Sequence, residues 1–185
     1  MIVWGIALNK KWLVGGIALL ALFAGIYLAS PYWAVYNFKQ AATSADADKL
    51  EGTVDFSAVR ESLKSQMTAA LMKKMADDPA MKDNPFAGLG ALMMPTIVEK
   101  MVDSFVTPAG ISSLAKGNKP SDSSVATEPN EANVSYTNEY VSLDRFRVRM
   151  FNKKQRRAGP SLLFERRGIV SWKMVRVELP ADLLD

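Results

Sequence analysis

The chain has 185 residues, 49% of them apolar, and a formal net charge of +4 from 23 Lys and Arg against 19 Asp and Glu. It contains neither cysteine nor histidine, which removes disulfides, thiolate chemistry, the usual zinc and copper ligand sets and the common neutral-pH general base. A metalloenzyme or a triad hydrolase is therefore not expected, and neither is a cofactor; with a hydrophobic N-terminal segment set aside, about 150 residues remain, the size of one ordinary domain.

Residues 12–29 carry no charge. As a helix rising 1.5 Å per residue, that run covers about 27 Å, close to the hydrocarbon thickness of a bilayer. Lys10 and Lys11 precede it and the next basic residue is Lys39, so the positive-inside bias puts the N-terminus in the cytoplasm and the rest of the chain across the membrane. A cleavable leader would need small residues at both recognition positions, yet "YLAS" is followed by Pro31 and "LFAG" places Phe23 badly. The expectation is an uncleaved single-pass anchor that meets the membrane through residues 12–29.

In "SPYWAVYNFKQAA" Ser30 suits an N-cap and Pro31 a first helical position, so the helix continues or restarts there. Tyr32, Trp33 and Tyr36 supply aromatic groups at headgroup level. "TSADADKLEGTVDF" reads as a short helix ending near Gly52, with Val54 and Phe56 entering the core. "SAVRESLKSQMTAALMKKM" is an amphipathic helix with Val59, Leu63, Met67, Ala70, Leu71 and Met75 on one stripe. "ADDPAMKDNP" breaks it. "FAGLGALMMPTIV" is charge-free but too short to span, and Pro95 interrupts it. A loop or short helix is expected up to Met94, then a helix from Pro95 through Val106 burying Ile97, Val98, Met101, Val102 and Phe105. "TPAGISSLAKG" adds a helix with Thr107 as N-cap, Pro108 first and Gly117 as stop.

Residues 118–133 have the composition of a solvated linker. After them the apolar period falls from 3.6 to 2, and "VSYTNEYVSLDRFRVRMF", "SLLFERRG" and "IVSWKMVRVEL" give about four antiparallel strands. The fold class is α+β: an N-terminal transmembrane helix, then several helices packed on one face of a roughly four-stranded antiparallel sheet. The divisions are an anchor at 1–30, a helical half at 31–117, a linker at 118–133 and a sheet half at 134–185. Phe146, Phe164 and Trp172 are expected in one cross-strand row, with Arg145, Glu165 and Ser171 in the row on the far face. The last strand changes phase between Met174 and Val175, as a bulge or burial of both faces would require.

The order of pieces, an anchor with preceding lysines running into "SPYWAVYNFKQAATSADADKLEGTVDFSAVRESLKSQM", then "VTPAGISSL", then "FERRGIVSWKMVRVELP", resembles the bacterial family called domain of unknown function 2939 over nearly the whole chain. The resemblance implies a membrane-attached bacterial envelope protein; it brings no activity and no functional residues. More loosely, helices followed by a curved meander resemble the cystatin-like and nuclear-transport-factor-like cone folds, a likeness of fold alone.

Ser113 and Lys116 match S-x-x-K, but no K-T-G follows, so chance is the better reading. Asp77, Asp78 and Asp83 lack the spacing of a calcium loop, and Asp46 and Asp48 suit a helix start. Charge is more informative. From Leu143 onward eleven Lys and Arg face five acids, a net of +6 where the whole chain carries +4. Arg145, Arg147, Arg149, Lys153, Lys154, Arg156 and Arg157 are candidate contacts for an anionic surface, with Arg147 and Arg149 expected to have no carboxylate opposite. Met67, Met93, Met94 and Met101 are candidates for an apolar groove. The functional expectation is a non-catalytic envelope protein, anchored in the inner membrane with its C-terminal domain periplasmic. It would act as an interaction module toward anionic lipid, an envelope polymer or a partner protein. The alternative is a cone-type pocket for a lipid or small apolar molecule. Nucleic acid is not expected, because the aromatics belong to the core rather than to a stacking platform.

Overall fold

The computed structural model describes residues 10–82, 86–115, 134–154 and 156–180. The first helix, α1 (Lys10–Ser44), is 35 residues long and is the one described helix long and apolar enough to cross a membrane. It does not restart at Pro31; it runs through it. Residues 10–26 face away from the rest of the molecule, whereas Ser30, Pro31, Ala41 and Ala42 are buried. The second half of the helix is thus the part that packs into the domain.

Aspartates start the next two helices. Asp46 accepts from the amide of Lys49 at 3.1 Å and caps α2 (Ala47–Thr53), while Asp55 accepts from Ala58 at 3.1 Å and caps α3 (Phe56–Asp77). Lys49 lies 2.8 Å from Asp46, and this hydrogen-bonded contact lowers the carboxyl pKa and raises that of the ammonium. Val54, between the two helices, is buried as expected, and Val59, Leu63, Met67 and Leu71 of α3 reach the core.

After the single turn α4 (Pro79–Lys82), α5 (Ala87–Phe105) is one helix with Pro95 inside it, not a loop or short helix followed by a new helix from Pro95. Pro95 is exposed, so the carbonyl of Ala91 that it leaves without a donor can turn to water, and packing on α3 offsets the rest of the cost. The buried face also differs from expectation. Val98, Val102 and Val106 are buried and Met94 packs behind them, while Ile97, Met101 and Phe105 are exposed. Lys64 to Asp103 at 2.9 Å and Arg60 Nε to the Val106 carbonyl at 3.0 Å tie α3 to this segment. In α6 (Pro108–Ala115) the Thr107 hydroxyl accepts from Gly110 N at 3.0 Å, the cap expected there. Only glycine fits at 110, since a Cβ would lie 2.0 Å from the carbonyl oxygen of Phe105.

Strands β1 (Val134–Ser142), β2 (Arg145–Asn152), β3 (Arg157–Arg166) and β4 (Trp172–Glu178) form an antiparallel meander in that spatial order. The core row is Phe146, Phe164 and Met174, and the far-face row is Arg145, Glu165 and Lys173. Trp172 and Ser171 do not occupy those positions; Trp172 stands opposite Arg166, because the β3–β4 loop is longer than a tight turn. Leu163 pairs with Arg176 while Phe164 pairs with Met174, so Val175 is the extra residue of a bulge. The bulge lets Trp172 and Met174 face the core before it and Val177 after it. Tyr32 and Phe38 of α1 meet the sheet edge-to-face, at 4.9 Å from Phe146 and 5.9 Å from Phe164. The outer edge of β4 is closed by α3: Asp55 N donates to the Met174 carbonyl at 2.9 Å, and the Gln66 amide donates to Val177 O and accepts from Leu179 N. The linker assigned to 118–133 lies outside the described residues.

Candidate functional site

Proline has no N–H, so Pro31 leaves the carbonyl of Tyr27 without its helical donor. Ser30 Oγ donates to that oxygen at 2.7 Å, and Arg166 Nη2 approaches it at 3.5 Å. Ser30 Oγ in turn accepts from Trp172 Nε1 at 2.8 Å and from Arg166 Nη1 at 3.3 Å. At the next residue, the Tyr140 hydroxyl donates to the Leu28 carbonyl at 2.6 Å. Burial raises the pKa of that hydroxyl. The carbonyl that proline orphans is thus satisfied within the helix by Ser30 and reached from the sheet by Arg166.

Arg166 is the hub of this joint. Its side chain is only 6% exposed. It donates to the carbonyls of Leu143 and Ile169, pairs with Asp144 at 3.4 Å, and its guanidinium lies 3.6 Å from the centre of the Tyr27 ring and 4.2 Å from that of Trp172. A planar group with five donors can hold both sheet-end loops and the helix together while stacked between two rings; an ammonium could not.

The arginine face is differently built from the sequence expectation. Arg145 pairs with Glu165 at 3.1 Å, and Glu139, directly opposite Arg147 in the β1–β2 register, reaches Arg147 at 3.2 Å and Arg149 at 2.7 Å. Arg147 Nε also lies 3.0 Å from Glu178, but its N–H is not aimed there; Nη2 makes the hydrogen bond at 3.3 Å. Arg147 and Arg149 are therefore not without carboxylates, and three arginines on this face meet three glutamates. Lys153, Lys154 and Arg156 in the β2–β3 turn are exposed, as is Arg157 at the start of β3. They lie at the end of the sheet opposite the Arg166 joint.

Among the described residues two clefts stand out on the surface. One, of about 490 Å³, lies between α3 and the sheet and is polar, with Glu61, Ser62, Ser65 and Gln66 facing Arg145, Glu165, Arg167 and Arg176. The other, of about 500 Å³, runs beside α1 where it meets the domain and is lined by Ile26, Ala29, Ser30, Trp33, Asn37 and Val170. Neither is lined by a methionine. The four candidate methionines are not brought together: Met67 and Met94 pack against the core, and Met93 and Met101 face outward on α5. There, Leu89, Met93, Ile97, Met101 and Phe105 recur every fourth residue as an exposed apolar stripe. Among the described residues no three acidic side chains gather as metal ligands; Asp83 and Lys116 lie outside them.

The model of a family described as "Protein of unknown function (DUF2939)" matches residues 20–114. That match takes in most of α1 and all of α2 through α5 and stops near the end of α6, so the sheet half, on which the sequence resemblance also drew, lies outside it. No curated protein and no solved structure matches the chain.

Proposed function

Because the chain belongs to that family, whose description carries no activity, we propose on physical grounds that it is a non-catalytic bacterial envelope protein, anchored in the inner membrane by the first part of α1. Its domain stands on the periplasmic side as an interaction module. The observation that carries this reading is the helix α1 itself. Its apolar stretch 12–29 has the length of a bilayer core, lysines precede it, and the same helix continues as part of the domain's packed interior. The lack of His and Cys supports a module rather than an enzyme.

The contact surface is the exposed end of the sheet, with Lys153, Lys154 and Arg156 in the β2–β3 turn and Arg157 at the start of β3, rather than the row of Arg145, Arg147 and Arg149. β2 is eight residues long, so this turn stands about 26 Å from the joint at roughly 3.3 Å per residue. Attraction between exposed charges fades over about 8 Å at physiological salt. A bilayer held at the joint is therefore out of its reach, and its partner is a different anionic component, a polymer or protein of the envelope. The methionine-lined groove that would favour the apolar-ligand alternative is absent from both clefts.

The test pairs topology with charge. A reporter fused after Asp185 is expected to read out on the periplasmic side. Full-length protein in detergent is expected to bind an immobilised polyanion at low salt and to lose it when Lys153, Lys154, Arg156 and Arg157 are all changed to Gln. The triple change of Arg145, Arg147 and Arg149 to Gln should have much the smaller effect. Equal loss in both variants, or a cytoplasmic reporter, contradicts the proposal.

A further inference from the structure

The loops at the joint end of the sheet expose apolar side chains that the domain's core does not use. Leu143, in the β1–β2 turn, is 65% exposed, and Ile169 and Val170, in the β3–β4 loop, are 63% and 51% exposed. Val141 beside them is exposed as well. Loop tips facing only water would more often be polar, and a cluster of aliphatic tips marks a surface meant to be covered.

Their height along α1 is fixed by hydrogen bonds. The same Arg166 guanidinium that reaches the Tyr27 carbonyl and Ser30 Oγ also donates to the carbonyls of Leu143 and Ile169. Both tips are thereby held level with Tyr27 and Ser30, at the end of the segment 12–29 read as the span. The binding of these carbonyls by Arg166 has a second consequence, because backbone entering hydrocarbon must already have its polar groups satisfied. Val170 also borders the cleft beside Ile26 and Ala29, so the apolar surface of the loop is continuous with that of the helix. Arg145 and Arg167, 56% and 45% exposed in their side chains, flank the tips where phosphate groups would lie.

We propose that the two loops carrying Leu143 and Ile169–Val170 insert into the near leaflet of the bilayer that α1 crosses, so that the domain rests on the membrane at three points rather than hanging from one. This rests on the anchoring reading above, and the occupant it names is phospholipid.

The chain has no cysteine, so single-cysteine labelling needs no background removed. Leu143→Cys and Val170→Cys, with Leu20→Cys in the span and Lys153→Cys at the far turn, are each labelled with an environment-sensitive fluorophore. The full-length variants are then placed in phosphatidylethanolamine–phosphatidylglycerol vesicles. Labels at 143 and 170 are expected to be quenched by a lipid-borne quencher and shielded from aqueous iodide, as at 20, with the reverse at 153. If 143 and 170 are as open to iodide as 153 while 20 is lipid-quenched, the insertion is overturned and the anchor stands. If 20 is also open to iodide, both fail. Shielding of 143 and 170 from both quenchers would mean a protein neighbour and would equally overturn the lipid assignment.

Discussion

At residue scale the molecule turns on Arg166, a guanidinium with seven polar or aromatic neighbours drawn from both ends of the chain. Its partner Tyr27 is 139 positions away, and nothing in "FERRG" marks which of two arginines is buried. Its sequence signal is only indirect: a proline inside a helix creates an orphan carbonyl somewhere, and the donor must be found in three dimensions. Arg147 shows the same limit. Its strand and its face were legible from alternation, but the Glu139 that neutralises it depends on how the β1–β2 turn closes, and that register shifts between Tyr140 and Ser142. Replacing Arg166 by Gln should cost about 2–4 kcal/mol of stability, because buried acceptors and two rings lose their shared donor. Lys should restore less than half of that, since it lacks the fork. Denaturant unfolding of the full chain in detergent measures it; a loss within about 0.5 kcal/mol, the range of an ordinary surface change, would show the joint to be idle.

At the scale of elements, α3 and the meander could be read from the sequence because one apolar stripe and one alternation were unambiguous there. The helix α5 could not. Met94, Val98 and Val102 define one apolar face and Leu89, Met93, Ile97, Met101 and Phe105 another, both at helical spacing, so periodicity establishes a helix without choosing its buried side. The valines go inside, where shorter side chains let the segment lie close to α3. Val102→Ala is accordingly expected to cost about 2 kcal/mol and Met101→Ala under about 0.5 kcal/mol by denaturant unfolding; the opposite ranking would assign the core to the other face. In β4 the sequence did carry the signal, since a change of alternation between Met174 and Val175 is what a one-residue bulge produces. The misplaced partner of Phe164 came from the length of the preceding loop, which side-chain pattern does not encode.

At the scale of the whole molecule the parts make one mechanical statement. A helix apolar enough to cross a membrane enters the domain without a linker, and the sheet grips it at its proline through Ser30, Trp172, Tyr140 and Arg166. A basic turn is thereby carried at a set distance and direction from the joint, which is what an anchored module needs if its partner lies away from the bilayer. A flexible tether would spread the same turn over a wide volume. The most direct test is the distance distribution between spin labels on Leu20→Cys and Lys153→Cys in one full-length chain, reconstituted in lipid nanodiscs. A single narrow distribution that broadens on Arg166→Gln is the expected result; a broad distribution in the otherwise unaltered chain would contradict a fixed joint.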